Sequence, residues 1–345
     1  MSIRDALEMP RKRRDLKWLK RALKSAIQLE FFTIPPYLTA LWSIKDYRDP
    51  VAIAIREVVI EEMLHMSLVC NMLKSIGGRP KLADASVVPR YPAKMPGGVK
   101  PELTVCLSGL TRNALEAFMA IEEPEKDISH TERVGDMETF PRIGAFYDAI
   151  ESAFHDVHPE ISRDGQVQGY FGESQHPDGT YVPKSIGNLD EVSAAIKVIK
   201  DQGEGTKELV NDPVTGELAH YYRFKEVAVG RRLIRESDGR WVHSGEQLDM
   251  PECWAVARVP DGGYRQSQVP ANVWDKMVRS DRLYSSTLRH LQSAWDNGSQ
   301  AALHRALELM MDAMPTLAVE IMQVPMEGKD GNYAPNFRFA EEGAA

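Results

Sequence analysis

Two pairs of residues in this sequence share one spacing, Glu62-x-x-His65 and Glu217-x-x-His220. On a helix, residues three apart lie on nearly the same face, about 5–6 Å apart at Cβ. A carboxylate and an imidazole placed that way can reach one metal ion. Both pairs interrupt apolar stripes. The first runs Ile55, Val58, Glu62, His65, Val69, Met72, Ile76, and in the second Glu217 and His220 step on to Phe224 and Val227. A further carboxylate, Glu30, extends the stripe Leu16, Leu19, Leu23, Ala26, Ile27. A single such pair is common and usually marks an exposed helix face. Two pairs on apolar stripes, with a third inward carboxylate, ask for a countercharge, because burying unpartnered carboxylates costs several kcal/mol each. A divalent cation supplies one.

The elements that must position these groups are helices. The three-and-four periodicity predicts a helix from Asp15 to about Lys45 and a second over Val51–Ile76, joined by the turn "DYRDP" and closed by Gly77 and Gly78. Shorter helices are predicted over Thr111–Glu123, Pro141–Phe154 and Leu189–Gln202, and another starting near Gly216 through "ELAHYYRFKEVAV". "RRLIRESDGRWVHSG" reads as a β-hairpin about its Asp-Gly, followed by helices over Asn272–Asp296 and Ser299–Met322. Pro35 and Pro36 fall inside the first helix. They deprive the carbonyls of Phe31 and Phe32 of their partners, which predicts a bend that opens space beside Glu30.

This pattern matches di-metal carboxylate bundles, in which two helices each give a Glu and two others each give a Glu-x-x-His pair. Glu30 lies about as far before the "DYRDP" turn as Glu62 lies after it, so an antiparallel pair brings them to one level. The lone Glu of the third bundle helix is less well marked. Glu204 in "DQGEGT" is favoured because a short hairpin would set it opposite Glu217. Glu122, on a Leu115, Phe118, Glu122 stripe, and Glu151, four after Tyr147, are the alternatives.

The 345 residues carry 42 Lys plus Arg against 50 Asp plus Glu, a formal charge of −8 that argues against a nucleic-acid binder. Cys70, Cys106 and Cys253 are scattered, which fits reduced thiols of a cytoplasmic protein. No apolar run approaches membrane-span length. The expectation is one elaborated unit, 1–345, with a bundle core over about 16–230.

The runs "LEFFTIPPYLTALWSI", "EEMLHMSLVCNMLKSIGGRP", "FMAIEEPE", "QGEGT" and "ELAHYYRF" resemble the ferritin-like domain of the iminophenyl-pyruvate dimer synthase type. That domain also occurs in violacein and indolocarbazole biosynthetic enzymes. The resemblance covers roughly Leu16 to Val227, and the stretch from "PTLAVEIMQVPM" to "NYAPNFRF" is similar to the tail of stand-alone members. It implies a mainly α, ferritin-like four-helix bundle with long insertions, a small hairpin region and extra C-terminal helices. By motif, it implies Glu30, Glu62, His65, Glu217 and His220 as metal ligands, with Glu204. One departure bears on nuclearity: Ala145 stands in "RIGAFYDAI", where an acid is frequent in the family.

Two iron ions are expected, with manganese fitting the same donors. The function expected is O2-dependent oxidation of an amino-acid-derived small molecule in natural-product biosynthesis, with a homodimer as the assembly to test. The competing readings are a ferroxidase without organic substrate and a scaffold with a relic site. Further expectations are that "SQHPDGTY", with His176 and Tyr181, is more often a surface loop than a lid, and that the Met-rich "LELMMDAMPTLAVEIM" is more often core filling than a binding face.

Overall fold

The computed structural model describes residues 1–124, 142–168, 185–203, 210–211 and 216–341. Two long helices form its spine, α2 (Leu16–Ser43) and α3 (Pro50–Ser75), after a short α1 (Ile3–Glu8). Their ends follow from local chemistry. Asp15 caps α2 by accepting from the Trp18 amide at 2.8 Å, and Asp49 accepts from the Val51 amide ahead of Pro50. At the far end of α3 the Gly78 amide reaches the Leu73 carbonyl and the Gly77 amide that of Lys74. Gly77 adopts the left-handed φ of 68° that this closure needs. The pair is antiparallel: Lys20 near the start of α2 bonds the Gly77 carbonyl beyond the end of α3.

Helix α2 runs unbroken through Pro35 and Pro36. The Phe32 carbonyl, freed by Pro36, accepts instead from the Tyr91 hydroxyl at 2.5 Å. A tertiary hydrogen bond thus replaces the lost helical one and keeps a buried carbonyl satisfied.

Four shorter helices pack on this spine: α4 (Arg112–Ile121), α5 (Ile143–Val157), α6 (Leu189–Gln202) and α7 (His220–Val229). Helix α4 pairs with α7, and α5 with α6. Beyond them come α8 (Ala271–Asn297), α9 (Gln300–Glu308) and α10 (Met314–Met322), which close over the outer side of α2 and α3. Asn71 of α3 ties this layer down: it accepts from Trp295 at 2.9 Å and donates to the Val167 carbonyl at 2.8 Å. Among the described residues, two small antiparallel sheets complete the fold. β1 (Ala93–Lys94) pairs with β2 (Thr104–Val105), and β3 (Ile234–Arg235) with β4 (Trp241–Val242), in the hairpin expected around Asp238-Gly239.

Two expectations need correction. The helix expected from Gly216 begins only at His220, because the preceding stretch is held extended: Leu218 bridges Asn211 and the Ala219 amide bonds the Val210 carbonyl. The single helix expected over Ser299–Met322 is divided by a wide π turn at Leu309–Ala313, just before Pro315. Pro315 lacks the amide that a regular turn would use.

No helix among the described residues is long and apolar enough to cross a membrane. The three cysteines are free.

Candidate metal centre

Glu30, Thr33 and Tyr37 step by three and four along one face of α2. Across from them, Glu62 and His65 do the same on α3. All five are buried. The Thr33 hydroxyl donates to Glu62 at 2.6 Å, which fixes the two helices in register. The His65 Nδ1 lies 3.7 Å from a carboxylate oxygen of Glu30 and 3.7 Å from one of Glu62. From the other side, α4 ends at Glu122 and α7 begins at His220, both buried. His220 Nδ1 is 2.9 Å from Glu62 and 3.7 Å from Glu122. Two groups result, Glu30–Glu62–His65 and Glu62–Glu122–His220, each with its donor atoms within 4.8 Å of one another. Glu62 belongs to both, and the two imidazoles stack at 5.6 Å between centroids.

Outer partners orient every member. His65 turns its Nε2 to the Gln202 side-chain oxygen at 2.9 Å, and His220 turns its Nε2 to Glu61 at 2.7 Å. Each imidazole therefore presents Nδ1 to the centre, the arrangement by which a distant hydrogen bond sets a ligand's tautomer. Glu61 is held in turn by Arg223 at 3.0 Å. The phenol of Tyr37 donates to Glu122 at 2.5 Å, and that of Tyr147 to Glu30.

The electrostatics show a deficit of positive charge. Four buried carboxylates, Glu30, Glu61, Glu62 and Glu122, face one buried guanidinium, Arg223. Burial would depress the His65 imidazole, but Glu30 and Glu62 override it and lift its pKa to about 10. His220 is raised well above the ordinary value against the same penalty, by Glu122, Glu61 and Glu62. Glu30 is pushed up by burial, with the like charge of Glu62 adding to it. Glu61 goes the other way: burial is outweighed by Arg223 and then His220, which bring it down to about 2. Both imidazoles thus lie among more negative than positive charge.

A divalent ion fits this deficit, because ligating histidines are neutral and release their protons to the metal's charge. His220 Nδ1 supports the fit directly. It is fully buried, makes no hydrogen bond despite its closeness to Glu62, and points into the carboxylate group. Oxygen and imidazole donors suit iron or manganese.

Of the residues singled out from sequence, the structure brings Glu30, Glu62, His65 and His220 together. Glu217 stands apart. It precedes α7, is about one-third exposed, and pairs with Arg223 at 3.2 Å. Glu204 and the "SQHPDGTY" loop lie outside the described residues. Of the two alternatives, Glu122 joins the cluster, whereas Glu151 faces an outer surface beside Ser193 and Lys197. Sequence reasoning missed Glu61, Gln202, Arg223 and the two phenols. Arg223, three residues after His220 on a helix with an apolar stripe, was a legible sign that a further inward acid needed a partner.

A small opening of about 30 Å³ adjoins the cluster, lined by Glu30, Glu62, His65 and Glu122 and by apolar Leu29, Ile121 and Ile143.

A family model described as Ferritin-like matches residues 23–229, which contain every residue of the cluster. A comparison with curated proteins finds no match. Among solved structures, the chain is similar to a ferritin-like protein from Caulobacter vibrioides at 20% identity. That likeness has a TM-score of 0.59 and covers 93% of this chain and 98% of that one, a correspondence of fold. With the family matched over more than half its length, the chain belongs to the ferritin-like family.

Proposed function

We propose that this protein is a non-haem di-iron oxidoreductase that uses O2 to oxidise an amino-acid-derived small molecule. The observation that carries the reading is the pair of buried Glu/Glu/His groups sharing Glu62 beside a small opening of about 30 Å³. Glu30, Glu62 and His65 would hold one ion, and Glu62, Glu122 and His220 the other. Bound iron would supply the O2 and redox chemistry that these side chains lack.

The protein's own groups do the positioning. Gln202 and Glu61 keep both Nδ1 atoms inward, and Tyr37 and Tyr147 hold the outer carboxylates in place. The apolar wall limits water and offers a surface to an aromatic or aliphatic group. Lys200 lines the same opening, its ammonium ion-paired with Asp148. The resemblance to the iminophenyl-pyruvate dimer synthase type supports the amino-acid-derived class.

Anaerobic loading with Fe(II), metal counting and then O2 exposure test the reading. About two ions per chain are expected, with O2 uptake accelerated by aromatic amino-acid-derived compounds and an oxidised organic product. Repeated Fe(II) turnover with mineral formation, indifferent to every organic compound, would favour a ferroxidase.

A further inference from the structure

A cleft of about 230 Å³ lies where the segment after α3 meets the C-terminal tail. Residues 88–91, the turn at Gly262 and Gly263, and residues 336–339 contribute to its lining. It falls short of the roughly 300–1,000 Å³ that hold drug-sized molecules and suits a smaller one. No residue lining it also lines the opening beside the metal cluster.

Two arginines and an asparagine line the cleft, and no acid does. Arg90 is exposed, Arg338 donates through Nη2 to the Gly262 carbonyl, and neither forms an ion pair among the described residues. Asn336 is only 6% exposed. Its Oδ1 accepts from the Tyr264 amide at 2.9 Å, which leaves Nδ2 as the donor, and Nδ2 has no hydrogen bond although Asp281 lies close by. Buried donors are rarely left unpaired, because desolvation then goes uncompensated. Asp281 backs this wall, accepting from the Arg338 amide at 2.9 Å; burial lifts its pKa to about 7, so it offsets only part of the positive charge. Gly263 keeps the turn clear: a Cβ there would come within 2.6 Å of Arg338 Nη2 and 2.7 Å of Asn336 Oδ1. Between Asn336 and Arg338, Phe337 holds a left-handed φ of 55°, unusual for a bulky residue. Its ring is fixed by stacking on Trp42 and by the edge contact with Tyr284. Backbone strain of this kind collects at ligand clamps.

We propose that this cleft binds a small phosphate monoester, with Arg90 and Arg338 on its charge and Asn336 Nδ2 on a further terminal oxygen. Guanidinium forks match phosphate oxygens. A phosphate monoester carries close to two negative charges at neutral pH and three terminal oxygens, against one charge and two oxygens for a carboxylate. Val88, Pro89 and Phe339 offer an apolar surface to the organic part of the ester. The site is separate from the metal centre, and its test does not depend on the oxidoreductase reading.

Phenyl phosphate and benzoate, titrated into the full-length protein by calorimetry, separate the two anion classes. Phenyl phosphate is expected to saturate one site per chain and to be displaced by inorganic phosphate, and benzoate to bind at least about tenfold more weakly, as the loss of a charge-assisted hydrogen bond implies. Arg90→Gln, at an exposed position without an ion pair, should weaken phenyl phosphate by about tenfold or more and leave the melting temperature unchanged. Asn336→Asp keeps an oxygen for the Tyr264 amide but replaces the free donor with an anion, and should abolish binding. Arg13→Gln, at an exposed arginine far along the chain from the cleft, controls for general attraction to basic surface and should change nothing. The proposal is overturned if phenyl phosphate shows no saturable binding, or if benzoate binds equally well. It is also overturned if Arg90→Gln retains full affinity or weakens it no more than Arg13→Gln does, since the anion would then sit at the metal cluster or on the general surface.

Discussion

The two Glu-x-x-His segments have identical spacing and different fates. On α3, Glu62 and His65 sit ten or more residues inside a continuous helix, and both project into the same buried group. At α7 the helix starts on the histidine itself. Glu217 then belongs to an extended strand-like segment pinned by Val210 and Asn211, and its carboxylate turns outward to Arg223. A three-residue spacing is a chemical pair only where helical geometry spans both members. Where the helix begins between them, the second bundle half recruits its carboxylate from elsewhere, here Glu122 at the end of the neighbouring α4.

That difference ranks the expected effects of mutation. The largest should come from Glu62, which is common to both groups. Glu62→Ala is expected to lose both ions, read as metal per chain after dialysis, with circular dichroism confirming that the helices persist. Retention of two ions would break the assignment of Glu62 as the shared ligand. Next is Glu122. Glu122→Ala should lower occupancy towards one ion per chain, whereas Glu151→Ala on the outer face of α5 should leave it unchanged. The reverse outcome would transfer the third-helix role.

An intermediate effect is expected at Glu61. It is no member of either group, but it holds His220 through Nε2 and is itself held by Arg223. Outer hydrogen-bond partners of metal-bound histidines typically change affinity about 10–100-fold. Glu61→Gln keeps the shape and removes the charge, so metal affinity should fall within that range while stoichiometry at saturating metal survives. An unchanged affinity would show that the Nε2 contact does not matter for binding.

Much of this was readable in the residues. Helix α6 falls on Leu189–Gln202 as its periodicity predicts, and α3 within one residue at either end of its stripe, because capping groups and apolar spacing agree there. Glu30 and Glu62 could be set at one level from the length of the turn alone. The start of α7 was not legible, since Glu217, His220, Phe224 and Val227 keep helical spacing across the boundary. What overrides the pattern is pairing with Val210 and Asn211, a tertiary contact that local periodicity does not encode. Likewise, the bond from Tyr91 to the Phe32 carbonyl, which sustains α2 through its prolines, joins residues 59 apart in sequence. The role of Glu122 over Glu151 was left open because each follows an inward aromatic residue by four. Only the packing of α4 against α7 and of α5 against α6 separates them.

The smallest expected effect is the sharpest test of the comparison. If spacing alone made a ligand, Glu217→Ala would strip metal as Glu62→Ala does. The geometry predicts otherwise. The Glu217 carboxylate is one-third exposed and contacts Arg223 at 3.2 Å, while Arg223 also contacts buried Glu61 at 3.0 Å. Losing Glu217 therefore leaves that guanidinium with a buried counter-ion and leaves both metal groups complete. A partly exposed ion pair is worth about 0–1 kcal/mol, so the melting temperature should fall by no more than a few degrees. Metal content should remain at the unmutated level. Loss of an ion from the Glu217→Ala variant, with the fold intact, would show that this carboxylate swings inward on loading and that the second segment works as a motif after all.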